Sequence, residues 1–273
     1  MKKYCFFFIL MFIFSEQSFA QNDTGKVAIH SMFFDDAKIF LNDGVDYFTY
    51  PLHADSKDWL IFAGITATTY SLMHADIYVK DHIGRSTTLT LNKDFWDIPT
   101  TYGIVTYANI GALSTYGIGL LSGSDEVRKV GRMLFQSLSY SGLNVMFFRT
   151  VIERKRPYYE KGQWDFKLFT TDNEFQSFPS GHTTVAFAFS TVLAEYFDTF
   201  YSRIFFYGLA ASTAFARVYN NQHFLSDVFF GALIGISGGL HTVNQENKRN
   251  QKCPYSGFQI LPGYNSINFV YSF

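Results

Sequence analysis

The run His223-Phe-Leu-Ser-Asp227 is where this chain first offers side chains that could do chemistry together. On a helix, a spacing of four puts both residues on one face. The carboxylate can then hold one imidazole nitrogen and leave the other as an oriented nucleophile. The same spacing also suits a surface aspartate capping a polar patch. A second histidine, His182, follows Pro179-Ser180-Gly181 at the expected start of an apolar helix. There proline ends the preceding segment, glycine admits close backbone approach, and free helix N-terminal amides attract phosphate. Ser180 serves equally well as a plain N-cap.

Three arginines accompany the histidines. Arg149 and Arg156 are seven residues apart, nearly two turns, and share a face if a helix reaches that far; Pro157 then ends it. Arg217 precedes His223 by six. Three planar, permanently charged forks suit a phosphate whose oxygens redistribute charge in the transition state. Arg154, Lys155 and Lys161 crowd the same stretch and read as a solvated basic loop. His30, His53, His74, His82 and His241 show no metal-ligand spacing, and Asp76 and Asp81 read as ordinary polar positions. The expected chemistry uses no metal or other cofactor, because arginines can supply the positive field.

These three segments resemble the signature of the superfamily of type 2 phosphatidic acid phosphatases (PAP2), class A acid phosphatases and vanadium haloperoxidases. That signature reads Lys-x6-Arg-Pro, Pro-Ser-Gly-His and Ser-Arg-x5-His-x3-Asp, and here it spans residues 149 to 227. The resemblance implies an all-α helical bundle of about six core helices. It also implies that His223 is the nucleophile, Asp227 its orienting partner and His182 the general acid. Arg149, Arg156, Ser180, Gly181 and Arg217 would bind the phosphoryl group, with vanadate acting as an inhibitor. Arg149 stands where the family has Lys, and Ala216 where it usually has Ser. The apolar run after Asp227 looks most like the bacterial membrane lipid phosphate phosphatases, which makes a lipid phosphate the expected substrate. A soluble acid phosphatase, a vanadate-dependent haloperoxidase and a non-catalytic headgroup-binding protein are the alternatives.

The elements that must position these residues are read from composition. The chain has 273 residues, 16% charged and 19% aromatic, too apolar for a disordered or nucleic-acid-binding protein. Lys2, Lys3, an apolar run and Ser18-Phe19-Ala20 read as an export signal over residues 1–20, placing the protein in the cell envelope. Cys5 lies within that signal, leaving Cys253 alone and excluding an internal disulfide. An amphipathic segment is expected over 21–58, with Phe33, Phe34, Ala37, Phe40 and Leu41 against a core or a membrane surface. Uncharged stretches within 59–245 read as the helices of one catalytic domain, and several are too short to be obvious spans. The basic loops Arg128-Lys129-Arg132 and Lys248-Arg249-Lys252 favour the cytoplasmic side, which allows a periplasm-facing site on a membrane-associated protein. Residues 246–273 form a polar tail whose alternating end suggests a short strand.

Overall fold

A computed structural model of the protein describes residues 25–84, 93–169, 173–252, 257–262 and 267–272. The export signal and Cys253 lie outside them. The described residues form an all-α bundle of eight helices: α1 Gly25–Thr49, α2 Ser56–Ile83, α3 Lys93–Tyr102, α4 Val105–Ser122, α5 Asp125–Val151, α6 Gly181–Phe197, α7 Phe200–Tyr219 and α8 Leu225–Lys252. A two-residue antiparallel pair, β1 Glu153–Arg154 with β2 Phe166–Lys167, lies between α5 and α6. A hairpin follows α8, with β3 Gly257–Pro262 paired to β4 Ile267–Ser272. Helix α8 therefore runs through the boundary expected at 245, and the strand-like end lies in β4.

Local chemistry explains the helix ends. Asp55 and Asp58 form a reciprocal capping box at the start of α2, and Thr199 with Ser202 does the same for α7. Gly123, at φ +70°, ends α4 in the left-handed conformation that glycine adopts without strain. Ser124 then caps α5, whose first turn carries Asp125 and Glu126 at the positive end of the helix dipole.

The core forms where α5, α6 and α8 meet, with Met133, Leu134, Leu138, Val192, Leu193 and Val243 buried together. Each such side chain contributes about 1.5–3 kcal/mol by leaving water. Helices α6 and α8 approach closely because Gly231, Gly235 and Gly239 form a stripe on α8. A Cβ at Gly235 would sit 2.5 Å from the Thr184 carbonyl oxygen. That approach matters for function, since it fixes the first turn of α6 against the first turn of α8.

Helix α1 turns a polar face inward. Asp36 and Asp43 are buried, whereas Phe33, Phe34 and Leu41 are exposed; of the expected apolar set, Ala37 and Phe40 are half-buried, and Phe40 packs on Phe135 and Tyr140 of α5. Asp36 pairs with Arg128 and Arg132, Asp43 with Arg249, and Glu246 with Arg132 and Arg249. This lattice clamps α1 to the start of α5 and the end of α8. Outward-facing apolar residues continue along α2, α4 and α7, among them Trp59, Leu60, Ile61, Leu113, Leu121, Phe200, Tyr201 and Ile204. Among the described residues, Leu225–Gln251 is long and apolar enough to cross a membrane, and Trp96–Tyr102 with Val105–Ser122 forms a pair bent by 53°.

Candidate active site

The signature residues gather at the end of the bundle opposite the α1 clamp. Arg149 sits in the last turn of α5, which stops at Val151. The backbone then extends into β1, so Arg156 lies beyond the helix and joins Arg149 through the fold, not through a shared helical face. Ser180 is the N-cap of α6 and makes no side-chain cap bond; its hydroxyl meets Thr183 Oγ1 at 3.0 Å. The amides of the first α6 turn are thus not taken up by the Ser180 side chain. Gly181 faces Arg149 so closely that a Cβ there would lie 3.0 Å from Arg149 Nη2.

His223 occupies the turn between α7 and α8, two residues before α8 begins. Asn221 makes this turn at φ +52°, a left-handed conformation that asparagine tolerates better than most residues. His223 is almost fully buried, and its Nδ1 lies 2.8 Å from the Ser177 carbonyl oxygen. A carbonyl only accepts, so Nδ1 carries the proton and Nε2 keeps its lone pair for chemistry.

This geometry revises the expected histidine–aspartate pair. Asp227 Oδ2 is 3.9 Å from His223 Nδ1, too far for a hydrogen bond, and the two residues do not share a helix. Asp227 instead accepts Ser177 Oγ at 2.5 Å and the Phe224 amide at 2.8 Å. Ser177 therefore stands between Asp227 and His223.

Arg149, Arg156 and Arg217 surround the histidines without a carboxylate partner among the described residues. Arg149 donates from Nε and Nη2 to the Pro179 carbonyl, at 3.3 and 3.2 Å. Gln222 Oε1 accepts from Arg156 Nη1 at 3.1 Å and from Arg217 Nη2 at 3.5 Å. The Nε atoms of Arg156 and Arg217 are buried and have no partner. Arg217 is buried and Arg149 and Arg156 are half-buried, so three cations with donors to spare give this end a strongly positive field that suits an oxyanion. Burial first, and then Arg217, Arg156 and Arg149, hold His223 well below the ordinary histidine range; the same causes in the same order push His182 down to about 4. Among the described residues no three His, Cys, Asp or Glu side chains are grouped to hold a metal ion.

Two residues taken as ordinary from the sequence belong to this site. Arg154 is fully buried, not part of a solvated loop, and ion-pairs with Asp227 at 2.7 Å and Asp76 at 2.8 Å. Asp76, expected to be a plain polar position, is itself fully buried. Lys155 leans on the Phe175 ring and Glu174, and Lys161 is exposed as expected. Ser177 and Gln222 also escaped the sequence reading, although each lies beside a signature residue. Asp76 had no local signal, because its partners are more than seventy residues away.

Comparison with known proteins gives a consistent picture. Residues 132–251 match the PAP2 superfamily. Over 108 residues the chain is 33% identical to a lipid A 1-phosphatase of Rhizobium johnstonii, covering 39% of this chain and 43% of that one. It is 44% identical over 82 residues to a lipid A 1-phosphatase of Porphyromonas gingivalis, covering 29% and 18%. The chain thus matches less than half the length of these curated relatives. Among solved structures, Aquifex aeolicus LpxE aligns with a TM-score of 0.48 at 22% identity, over 62% of this chain and 94% of that one. A transmembrane PAP2-type phosphatidylglycerolphosphate phosphatase of Bacillus subtilis aligns with a TM-score of 0.39 at 15% identity, over 79% and 96%.

Proposed function

We propose, from the match of residues 132–251 to the PAP2 superfamily, that the chain is a metal-independent lipid phosphate phosphatase working through a phosphohistidine on His223. One observation carries this reading: a histidine with its Nδ1 proton committed to a carbonyl stands among three guanidiniums that, among the described residues, no carboxylate neutralises. Nε2 of His223 attacks phosphorus, and the P–N bond forms as the ester P–O bond breaks. His182 gives its proton to the departing oxygen. The arginines disfavour the imidazolium at His182, and the negative charge of a bound phosphate offsets that field. Water then attacks the phosphohistidine, its proton passing to His182. The P–N electrons return to Nε2, and inorganic phosphate leaves.

A lipid-linked phosphate is favoured by the exposed apolar flanks of α1, α2, α4 and α7, which suit a bilayer better than water. The relatives named lipid A 1-phosphatase support a lipid phosphate as the substrate class. The basic residues of α5 and α8 lie at the far end of the bundle, which supports a site opening on the outer side of the inner membrane.

Phosphate release from a panel of lipid and soluble phosphates, using purified protein in detergent, tests this reading. We expect lipid phosphate turnover that survives EDTA and is blocked by vanadate. Turnover confined to soluble monoesters would remove the lipid assignment, and activity restored only by Mg²⁺ or Zn²⁺ would remove the mechanism. His223→Ala should lose on the order of 10⁶ in kcat on every substrate, as nucleophile removal does elsewhere. His182→Ala should lose about 10²–10⁴ on alkyl phosphates and far less on aryl phosphates, whose leaving groups need little protonation.

A further inference from the structure

We propose that Arg154 and Asp76 are a positioning pair that sets the tautomer and aim of His223 through Asp227 and Ser177. The proposal rests on the phosphohistidine reading and names residues that reading does not use.

Arg154 is fully enclosed, with the Phe224 ring 4.1 Å from its guanidinium carbon and the Phe166 ring at 5.2 Å. Its Nε and Nη2 donate to the Gln163 carbonyl at 2.9 and 2.7 Å. Nη1 donates to Ser226 Oγ at 2.8 Å and Asp227 Oδ1 at 2.7 Å, and Nη2 reaches Asp76 Oδ2 at 2.8 Å. These five bonds use every donor of the planar fork, so its orientation is fixed. No donor is left for a ligand, which separates Arg154 from the three phosphate-facing arginines.

The chain of contacts runs from Arg154 to the nucleophile without a gap. Asp227, held by Arg154, accepts Ser177 Oγ at 2.5 Å. The Arg154 carbonyl accepts the Ser177 amide at 2.9 Å. Ser177 is thus gripped at both its amide and its hydroxyl, and its carbonyl receives His223 Nδ1 at 2.8 Å. Asp76 completes the frame from α2. It balances a second side of the guanidinium and accepts both the amide and the hydroxyl of Ser226, at 3.0 and 2.5 Å, in the first turn of α8. One buried cation shared by two buried carboxylates holds the His223 turn in register against α6.

The test uses the full-length protein in detergent with Asp76→Asn, which keeps the shape, and Arg154→Lys, which keeps the charge but not the fork. Three quantities are measured per folded protein: kcat on a lipid phosphate, inhibition by inorganic phosphate, and the ¹⁵N shifts of His223. We expect kcat to fall roughly 10- to 100-fold, the size seen when outer partners of a working histidine are removed. Phosphate inhibition, set by Arg149, Arg156 and Arg217, should change less than about threefold, while the ¹⁵N spectrum moves from a single Nδ1–H tautomer to a mixture. An unchanged kcat and tautomer with lowered thermal stability would make the pair merely structural and overturn the proposal. Phosphate affinity falling in step with kcat would overturn it too, by placing Arg154 on the ligand. If Arg154→Lys does not fold, Asp76→Asn alone decides. If the wild-type protein hydrolyses no phosphate, the phosphatase reading falls, and the His223 tautomer in Asp76→Asn still decides whether the pair positions that ring.

Discussion

Each end of this bundle gathers three half-buried or buried arginines, and the two sets have opposite surroundings. At the α1 end, Arg128, Arg132 and Arg249 are each matched by Asp36, Asp43 or Glu246. At the other end, among the described residues, Arg149, Arg156 and Arg217 meet neutral oxygens, those of Pro179 and Gln222. Arg132 and Arg149 lie 17 residues apart on one helix, about 25 Å at the helical rise, so one element carries both kinds of arginine. Paired buried cations hold helices together, whereas unpaired buried cations destabilise the fold until an anion arrives. The difference separates structure from function without reference to conservation.

The comparison is broken most visibly by exchanging one member from each end. Arg217→Ala should lose about 10²–10³ in kcat, the typical loss for one donor to a developing oxyanion, with thermal stability unchanged or raised because mutual repulsion is relieved. Arg132→Met should leave kcat unchanged and destabilise by about 1.5–3 kcal/mol, since buried Asp36 and Glu246 would each lose one of their two arginine partners. Calorimetry beside initial rates checks both, and a stability loss at Arg217 matching that at Arg132 would erase the distinction.

Arg149 sharpens it. Arg149→Lys should retain at least tenfold more activity than Arg149→Ala, because a point charge still meets a phosphate oxygen. If Lys proves as damaging as Ala, the bidentate hold on the Pro179 carbonyl is what matters. A smaller effect is expected at Gly181→Ala, where the new methyl must displace Arg149 Nη2 from 3.0 Å; kcat/KM should fall several-fold and be partly restored when Arg149→Lys is added.

The smallest effect is in pH dependence. His223 titrates below its ordinary value because burial and the three arginines disfavour the imidazolium. A nucleophile must be neutral, so kcat/KM should not fall as pH drops through 6.5, the usual histidine value. Arg217→Ala weakens the field and should move the acid limb upward. An acid limb already at 6.5 in the wild type would show that His223 does not feel these charges.

Much of the site was legible in the chain because its chemistry comes in short runs. Pro179-Ser180-Gly181-His182 places a Ser-Gly turn on a helix start, and the residues from Arg217 to Asp227 hold a cation, an imidazole and a carboxylate within eleven positions. The helices were legible too, since long uncharged stretches rich in small and aromatic residues have few other ways to satisfy their backbone. Partnership across the fold was not legible. Arg154 and Lys155 are neighbours of the same charge, yet the first is buried between Asp76 and Asp227 while the second lies over Phe175. Asp227 was expected to touch His223 from a shared helix, but the turn at Asn221 lifts His223 out of α8 and puts Ser177 between them. Asp36 and Asp43 were overshadowed by the aromatics beside them and proved to be the face that α1 buries. In each case residue type and local spacing set what a side chain can do, and burial with long-range pairing, which depends on how α2, α5, α6 and α8 converge, set what it does.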